Sequence, residues 1–267
     1  MPVDVAAAVL YNRRLTPDYS VIALEAPEVA AAALPGQFVM VKPARGYEPL
    51  LRRPFSIFEI LREPQGEPRG ISLLNKRVGI TTTQLFEAGA GQAIACLGPL
   101  GRPFSLAPAG TEAWMVAGGV GLAPFVTLAD ALAARGVRMT LFYGGRSATD
   151  LFCLDLFERL GVTLVLATED GTRGVHGRVT LPLERALRQA PAAVQLYACG
   201  PEPMLAAVAR QATQYGRPCE VSVERVMGCG LGGCYSCVVP VRGADGRPHY
   251  VRSCIGGPVF DAASLVW

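Results

Sequence analysis

Up to about residue 107, apolar positions fall in short runs punctuated by proline and glycine: VIALEAP, GQFVMVKP, FSIFEILREP, GISLLNKRVG and AIACLGPLG. Runs of this length, with a turn signal at each end, predict five or six short strands closing a small antiparallel barrel. From Thr111 the rhythm changes. WMVAGG, MTLFYGG, TLVLATED and QLYACGP are apolar runs ending in glycine or acidic residues, and the helix-like stretches PFVTLADALAARG and PMLAAVARQATQYG follow two of them. Strand and helix in alternation predict a parallel sheet covered by helices. Beyond Gly216 one more strand-like run, CEVSVERV, leads into a glycine- and cysteine-rich tail. The expected fold is multi-part, β plus α/β: an antiparallel β-barrel over 1–107, a parallel-sheet domain over 108–215 and a C-terminal segment over 216–267.

The chain has 267 residues, of which 51% are apolar and 18% charged. That excludes a disordered protein and provides a core that needs no disulfide staples. A net charge of +3 without any run of Lys or Arg gives no electrostatic footprint for nucleic acid or a membrane surface. The N-terminus MPVDVAAAVLYNRR has no basic leader, long apolar stretch or small-residue cleavage site, so a cytoplasmic protein is expected. Ala113 to Ala129 is uncharged and nearly long enough to span a bilayer, but Gly118, Gly119, Gly121 and Pro124 make it a buried strand, a turn and a helix start. A mean hydropathy of +0.30 points to apolar surface covered by a cofactor or a partner.

Eight cysteines in a reducing compartment do not read as four disulfides. Cys229, Cys234, Cys237 and Cys254 are separated by four, two and sixteen residues, and the first three sit in the loop GCGLGGCYSC. Gly228, Gly230, Gly232 and Gly233 let the backbone curl so that thiolates and amide N–H groups face one point, which suits a [2Fe-2S] cluster. The four-two spacing is that of plant-type ferredoxins, with the fourth cysteine closer than in those proteins. A structural zinc site is the alternative, although zinc modules usually present two separated pairs. A Rieske centre would need two histidines in comparable motifs, which His176 and His249 do not provide. Cys96 and Cys153 lie in apolar surroundings and Cys219 starts a strand, so these three read as core. Cys199, in ACGPEPM, sits instead at the carboxyl end of an expected strand, where open parallel sheets place ligands.

RRPFSI sets cations beside a proline-stiffened strand entry. Arg53 can offer its fork to a phosphate while the backbone and Ser56 reach the edge of a planar ring. Taken alone the motif is weak, and a surface turn explains it as well. LNKRVGITTTQLF, carrying Leu74, Asn75 and Lys76, then reads as a strand, a glycine turn and a short helix opening with Thr81 and Thr82, whose free N–H groups and hydroxyls would hold a pyrophosphate. GGVGLAPF follows a strand and opens a helix, so Gly118, Gly119 and Gly121 allow a dinucleotide to approach the backbone, although the spacing is not GxGxxG. Glu169 and Asp170 end the third strand of this region. Carboxylates there would accept ribose hydroxyls and repel an additional phosphate, favouring NADH over NADPH, unless they merely solvate a turn.

The order RRPFSI, GPLG, GGVGLAPF, YGGR, ACGPEPM and a four-cysteine tail resembles the ferredoxin-reductase superfamily, and within it the electron transfer subunits of type B dihydroorotate dehydrogenase. The likeness runs over nearly the whole chain, with VERVMGCGLGGCYSCVVPV and RSCIGGPVF as its most specific part. The resemblance implies an FAD-binding barrel, an NAD-binding domain and a C-terminal [2Fe-2S] segment. It also implies that Arg53, Pro54, Phe55 and Ser56 contact FAD, with Leu74, Asn75, Lys76, Thr81 and Thr82 as a second flavin segment, and that Cys229, Cys234, Cys237 and Cys254 bind iron; the strand-end positions themselves put Gly118, Gly119, Gly121, Glu169, Asp170, Cys199 and Gly200 at the NAD site.

The implied partner is the FMN-containing catalytic subunit that oxidises dihydroorotate to orotate for pyrimidine (UMP) synthesis, in a heterotetramer of two plus two. Nicotinamide exchanges two electrons at once and an iron–sulfur cluster one, so a flavin must stand between them. Electrons would run from FMN through the cluster and FAD to NAD+, and no general base is needed. Three rivals remain from sequence alone: a similar subunit feeding a hydrogenase, sulfur reductase or transhydrogenase, a free-standing NADH:acceptor reductase, and a zinc-stabilised interaction module.

Overall fold

A computed structural model describes residues 1–43, 48–243 and 245–267. The first region is one antiparallel sheet built from β1 (Val3–Arg14), β2 (Tyr19–Glu25), β3 (Phe38–Pro43), β4 (Arg53–Ser56), β5 (Glu59–Arg62), β6 (Pro68–Lys76) and β7 (Ala93–Leu100), with α1 (Pro27–Ala32) and α2 (Ile80–Glu87) between strands. Its order is β4-β3-β7-β1-β2-β6-β5. The two edge strands, β4 and β5, are consecutive in the chain with only Ile57 and Phe58 between them. Two residues span little more than one inter-strand spacing, so the sheet must roll up until its edges meet, which makes the barrel. There are seven strands rather than five or six, because the N-terminal stretch through Arg14 is itself a strand, pairing along both β2 and β7, and the single run FSIFEILREP divides between β4 and β5. β7 alternates strictly between buried and half-buried positions, as a barrel wall requires.

The second sheet contains β8 (Glu112–Gly118), β9 (Met139–Gly145), β10 (Thr163–Thr168), β11 (Val175–His176), β12 (Val194–Cys199), β13 (Cys219–Ser222) and β16 (Val259–Asp261), in the order β11-β10-β9-β8-β12-β13-β16. All pairs are parallel except β13 with β16. Helices α3 (Ala123–Ala133), α4 (Leu154–Arg159), α5 (Thr180–Leu187) and α6 (Glu202–Gln214) make the crossovers. In α6 the buried Leu205, Val208, Ala209 and Ala212 fall at helical spacing on one face. Most of α3 is buried, because it lies between this sheet and the barrel: Phe125 stacks 5.8 Å from Phe104, which meets Tyr197 edge-on at 5.4 Å. A single apolar cluster joins Tyr19, Phe58 and Leu74 of the barrel region to Leu122, Phe125 and Tyr143.

Residues 223–258 leave this sheet after β13 and return to it in β16. The excursion holds the cysteine loop, the hairpin β14 (Val238–Arg242) and β15 (Pro248–Arg252), and a single helical turn, α7 (Ser253–Gly256). The sheet thus continues across position 216, where the cysteine-rich tail begins. No helix among the described residues is long and apolar enough to cross a membrane.

Candidate functional site: a flavin-sized cavity between a nucleotide cleft and a cysteine loop

Two cavities meet at the junction of the two sheets. In the second sheet the chain order reverses between β8 and β12, and ligand crevices of open parallel sheets form at the carboxyl ends of such strands. A cleft of 700 Å³ lies there, lined by Gly118, Gly119, Gly145, Arg146, Glu169, Arg178 and Met204 among others. A second cavity, of 860 Å³, opens against the barrel. Lys76, Val78, Val120 and Glu224 line both, so the two adjoin.

The barrel side of the larger cavity is the β4 motif Arg53, Pro54, Phe55 and Ser56, faced by Leu74, Lys76, Thr81 and Thr82. Its far wall is Cys199, Glu224, Arg225, Met227, Gly228 and Ser236. Asn75 does not line it. That side chain is fully buried and donates from Nδ2 to the Thr82 carbonyl at 3.0 Å, fixing the start of α2 against β6. The Thr82 hydroxyl is not available for a pyrophosphate, because it accepts from the N–H groups of Val78 and Gly79, both at 2.9 Å, and donates to the Gly79 carbonyl. The backbone N–H groups of Ile80, Thr81 and Thr82 have no carbonyl a turn earlier within the helix and remain the donors at this end.

Around the nucleotide cleft the expected residues divide. Gly118, Gly119 and Glu169 line it. Gly121 is buried beneath it, where a Cβ would stand 2.2 Å from the Cys199 carbonyl oxygen; its absence lets the turn after β8 press onto the end of β12. Asp170 turns away and accepts from the Thr172 hydroxyl at 2.6 Å and the Thr172 N–H at 3.0 Å, bonds that hold its carboxyl below the ordinary range. Gly200 borders a separate pocket of 150 Å³ beside Glu202 and Trp267. Tyr143 ties the glycine turn to the cleft loop, donating toward the carbonyls of Gly119 at 3.3 Å and Asp150 at 3.0 Å.

The four cysteines of the tail form two pairs. Cys229 and Cys234 lie within hydrogen-bonding reach of one another at the surface end, and Cys237 and Cys254 pair at the buried end. The Leu231 N–H donates to Cys229 Sγ at 3.4 Å, and the Gly232 amide bonds Cys254. Hydrogen bonds from Ser236 and then from Cys229 hold the Cys234 thiol down to about 6, whereas burial and then Cys237 push Cys254 up to about 12. Among the described residues no three Cys, His, Asp or Glu side chains converge on one point as ligands of a single ion. Two thiol pairs with amides aimed at sulfur suit the donor set that a two-iron cluster would need. The buried pair is backed by barrel side chains: Phe38, Met40 and Leu100 pack with Met227, Cys237 and Cys254 in one apolar cluster. Cys96, Cys153 and Cys219 are buried, and burial pushes the Cys96 and Cys153 thiols up to about 12 and about 11.

Residues 224–266 match the family model of the iron-sulfur cluster binding domain of dihydroorotate dehydrogenase B, and residues 115–210 match an oxidoreductase NAD-binding domain. The dihydroorotate dehydrogenase B (NAD(+)) electron transfer subunit of Desulforamulus reducens is 36% identical over 98% of this chain and 97% of its own length. The chain belongs to the family of dihydroorotate dehydrogenase B electron transfer subunits. The subunit of Bacillus caldolyticus is 40% identical over 87% of this chain and 86% of its own. Among solved structures, an NADH-dependent reduced ferredoxin–NADP oxidoreductase, described for flavin-based electron bifurcation, superposes with a TM-score of 0.85 at 27% identity, covering 98% of this chain and 90% of that one. The ferredoxin reductase of carbazole 1,9a-dioxygenase gives 0.69 at 25% identity, covering 81% and 67%.

In this dihydroorotate dehydrogenase B electron transfer subunit, the cavity walls include charged residues to which the sequence reading gave no role. Glu224 and Arg225, inside the run CEVSVERV, line the larger cavity, and Arg225 pairs with Glu202 at 2.8 Å. Glu224 opens onto cavity space but is crowded by protein atoms, so burial raises its carboxyl pKa while Lys76 opposes the shift. Arg146 and Arg178 bring cations to the nucleotide cleft. The signal in the sequence was positional: each of these follows the carboxyl end of a strand, as Cys199 does.

Proposed function

We propose that the chain is the electron transfer subunit of a dihydroorotate dehydrogenase B, passing electrons from an FMN-containing catalytic subunit through a [2Fe-2S] cluster and FAD to NAD+ in pyrimidine synthesis. The observation that carries this reading is the continuity of the site: the 860 Å³ cavity shares walls with the nucleotide cleft at one end and reaches Gly228 and Ser236 of the cysteine loop at the other. FAD supplies the exchange between paired and single electrons, and the cluster carries single electrons.

The residues present suit both groups. Arg53 and the N–H groups opening α2 offer donors to a pyrophosphate, while Phe55, Leu74 and Val120 present apolar surface to a ring system. Cys229, Cys234, Cys237 and Cys254 would hold the iron, with the amides of Leu231 and Gly232 supporting the sulfurs. Gly118, Gly119 and Glu169 would receive the dinucleotide, with Cys199 at the wall between it and the flavin. Glu169, facing ribose, favours NAD+ over its phosphorylated counterpart. The division into a flavin barrel, a nucleotide domain and a cluster segment is assigned on the same grounds. All eight cysteines are free thiols, consistent with a cytoplasmic protein. A complex of two catalytic and two electron transfer subunits is our proposed assembly.

Anaerobic co-expression with the candidate catalytic subunit tests the reading. A coloured complex containing iron, FAD and FMN should reduce NAD+ when given dihydroorotate. Stable copurification with a hydrogenase-type subunit instead, without dihydroorotate oxidation, would overturn it.

A further inference from the structure

Ser236 stands where the flavin cavity and the cysteine loop touch. The residue lines the 860 Å³ cavity, and its Oγ lies 3.1 Å from Cys234 Sγ. Its proton has a defined destination. The Gly228 N–H donates to Ser236 Oγ at 3.0 Å, so one lone pair of the hydroxyl is already engaged. A ligating cysteine is a thiolate and has no proton to give, so the Ser236 O–H must donate to the Cys234 sulfur. The bridge is tight on its other side as well: a Cβ at Gly228 would come within 3.2 Å of Cys234 Sγ and 3.5 Å of Ser236 Oγ. Glycine at 228 avoids crowding the sulfur while its N–H reaches the hydroxyl.

From this geometry we infer that Ser236 is a positioning residue that raises the reduction potential of the cluster by hydrogen-bonding a ligand sulfur at the edge facing the flavin cavity. This rests on the reading that the four tail cysteines hold the cluster. A donor to a ligand sulfur stabilises the more negative, reduced state, and hydrogen bonds to sulfur are among the levers that set cluster potentials. A raised cluster potential favours the electron on the cluster in every exchange it makes, including that with the flavin whose cavity Ser236 lines. Losing it should leave electrons held on the flavin side.

The test is a potentiometric titration of the co-expressed holoenzyme, following the paramagnetic signal of the cluster and the visible absorption of the flavin together. In Ser236→Ala the cluster midpoint should move to a more negative potential, shifting the flavin–cluster electron equilibrium toward flavin by about threefold to tenfold, the size of one net hydrogen bond. The FAD midpoint should stay where it is. Ser236→Thr, which keeps the hydroxyl, should restore the wild-type value, and its isostere Ser236→Val should not. If Ser236→Ala fails to load iron, the Thr and Val variants decide. Equal cluster midpoints in those two, or in wild type and Ser236→Ala at full iron content, overturn the inference. Absence of any iron–sulfur signal from the wild-type holoenzyme would instead defeat the underlying assignment of the cysteines.

Discussion

Glu169 and Asp170 are neighbours of the same charge, yet only the first lines the nucleotide cleft, because Asp170 is held by both polar groups of Thr172. Arg146, paired with Asp150 at 3.6 Å, and Arg178 line that same cleft, so removing the Glu169 charge should lessen the repulsion of an additional phosphate. Glu169→Ala is expected to raise the use of NADPH relative to NADH by about tenfold, equivalent to about 1.4 kcal/mol, read as the ratio of the two kcat/KM values. Glu224 gives a second residue-scale expectation. Burial raises its carboxyl above the ordinary 4.5, so the folded chain binds a proton that the unfolded chain releases. Stability linked to this group is therefore lost as pH rises from 4.5 through the raised value. Glu224→Gln removes that loss, so thermal melts should favour the variant increasingly as pH climbs through this window and then level off. Equal pH slopes for the two proteins would contradict the assignment. The four tail cysteines stand out by their spacing alone, whereas Arg53 to Ser56 read equally well as a surface turn until the fold sets them along the cavity wall. Thr82 lines the cavity as expected, but its hydroxyl was misread, because a hydroxyl at a helix start serves its own backbone as readily as a ligand, and only the placement of Val78 and Gly79 decides which.

The inner strands β8, β9 and β12 announced themselves because they are buried on both faces and read as apolar runs leading into glycine, whereas the two-residue β11 left no such trace. The barrel was legible in kind but not in strand count, since β1 lies in a stretch with no turn signal to set it off and one apolar run holds both β4 and β5. The cysteine loop was legible in its ligands but not in its supports. Met40 and Leu100 come from barrel strands nearly two hundred and more than one hundred positions before the buried cysteines they back, and nothing local in the sequence connects them. Met40 is fully buried, so Met40→Ala should cost about 2–5 kcal/mol in chemical denaturation. It should also lower iron retention by loosening the packing behind Cys237 and Cys254. A variant as stable as wild type, or one destabilised with iron fully retained, would show that barrel and loop are not mechanically joined.

At the scale of the whole molecule, three elements meet where their functions meet. The strand-order reversal between β8 and β12 opens the nucleotide cleft, the rolled edge of the barrel closes the flavin-sized cavity, and the excursion from β13 to β16 brings the thiol pairs against it. The bound nucleotide and the iron would sit on opposite sides of a single cavity, the arrangement that converts paired electrons into single ones. The most direct measurement is dihydroorotate-driven NAD+ reduction by the co-expressed complex, compared between wild type and Cys234→Ser. The account predicts that the variant still oxidises dihydroorotate with an artificial acceptor added but no longer passes electrons to NAD+. Undiminished NAD+ reduction by a Cys234→Ser complex would contradict it.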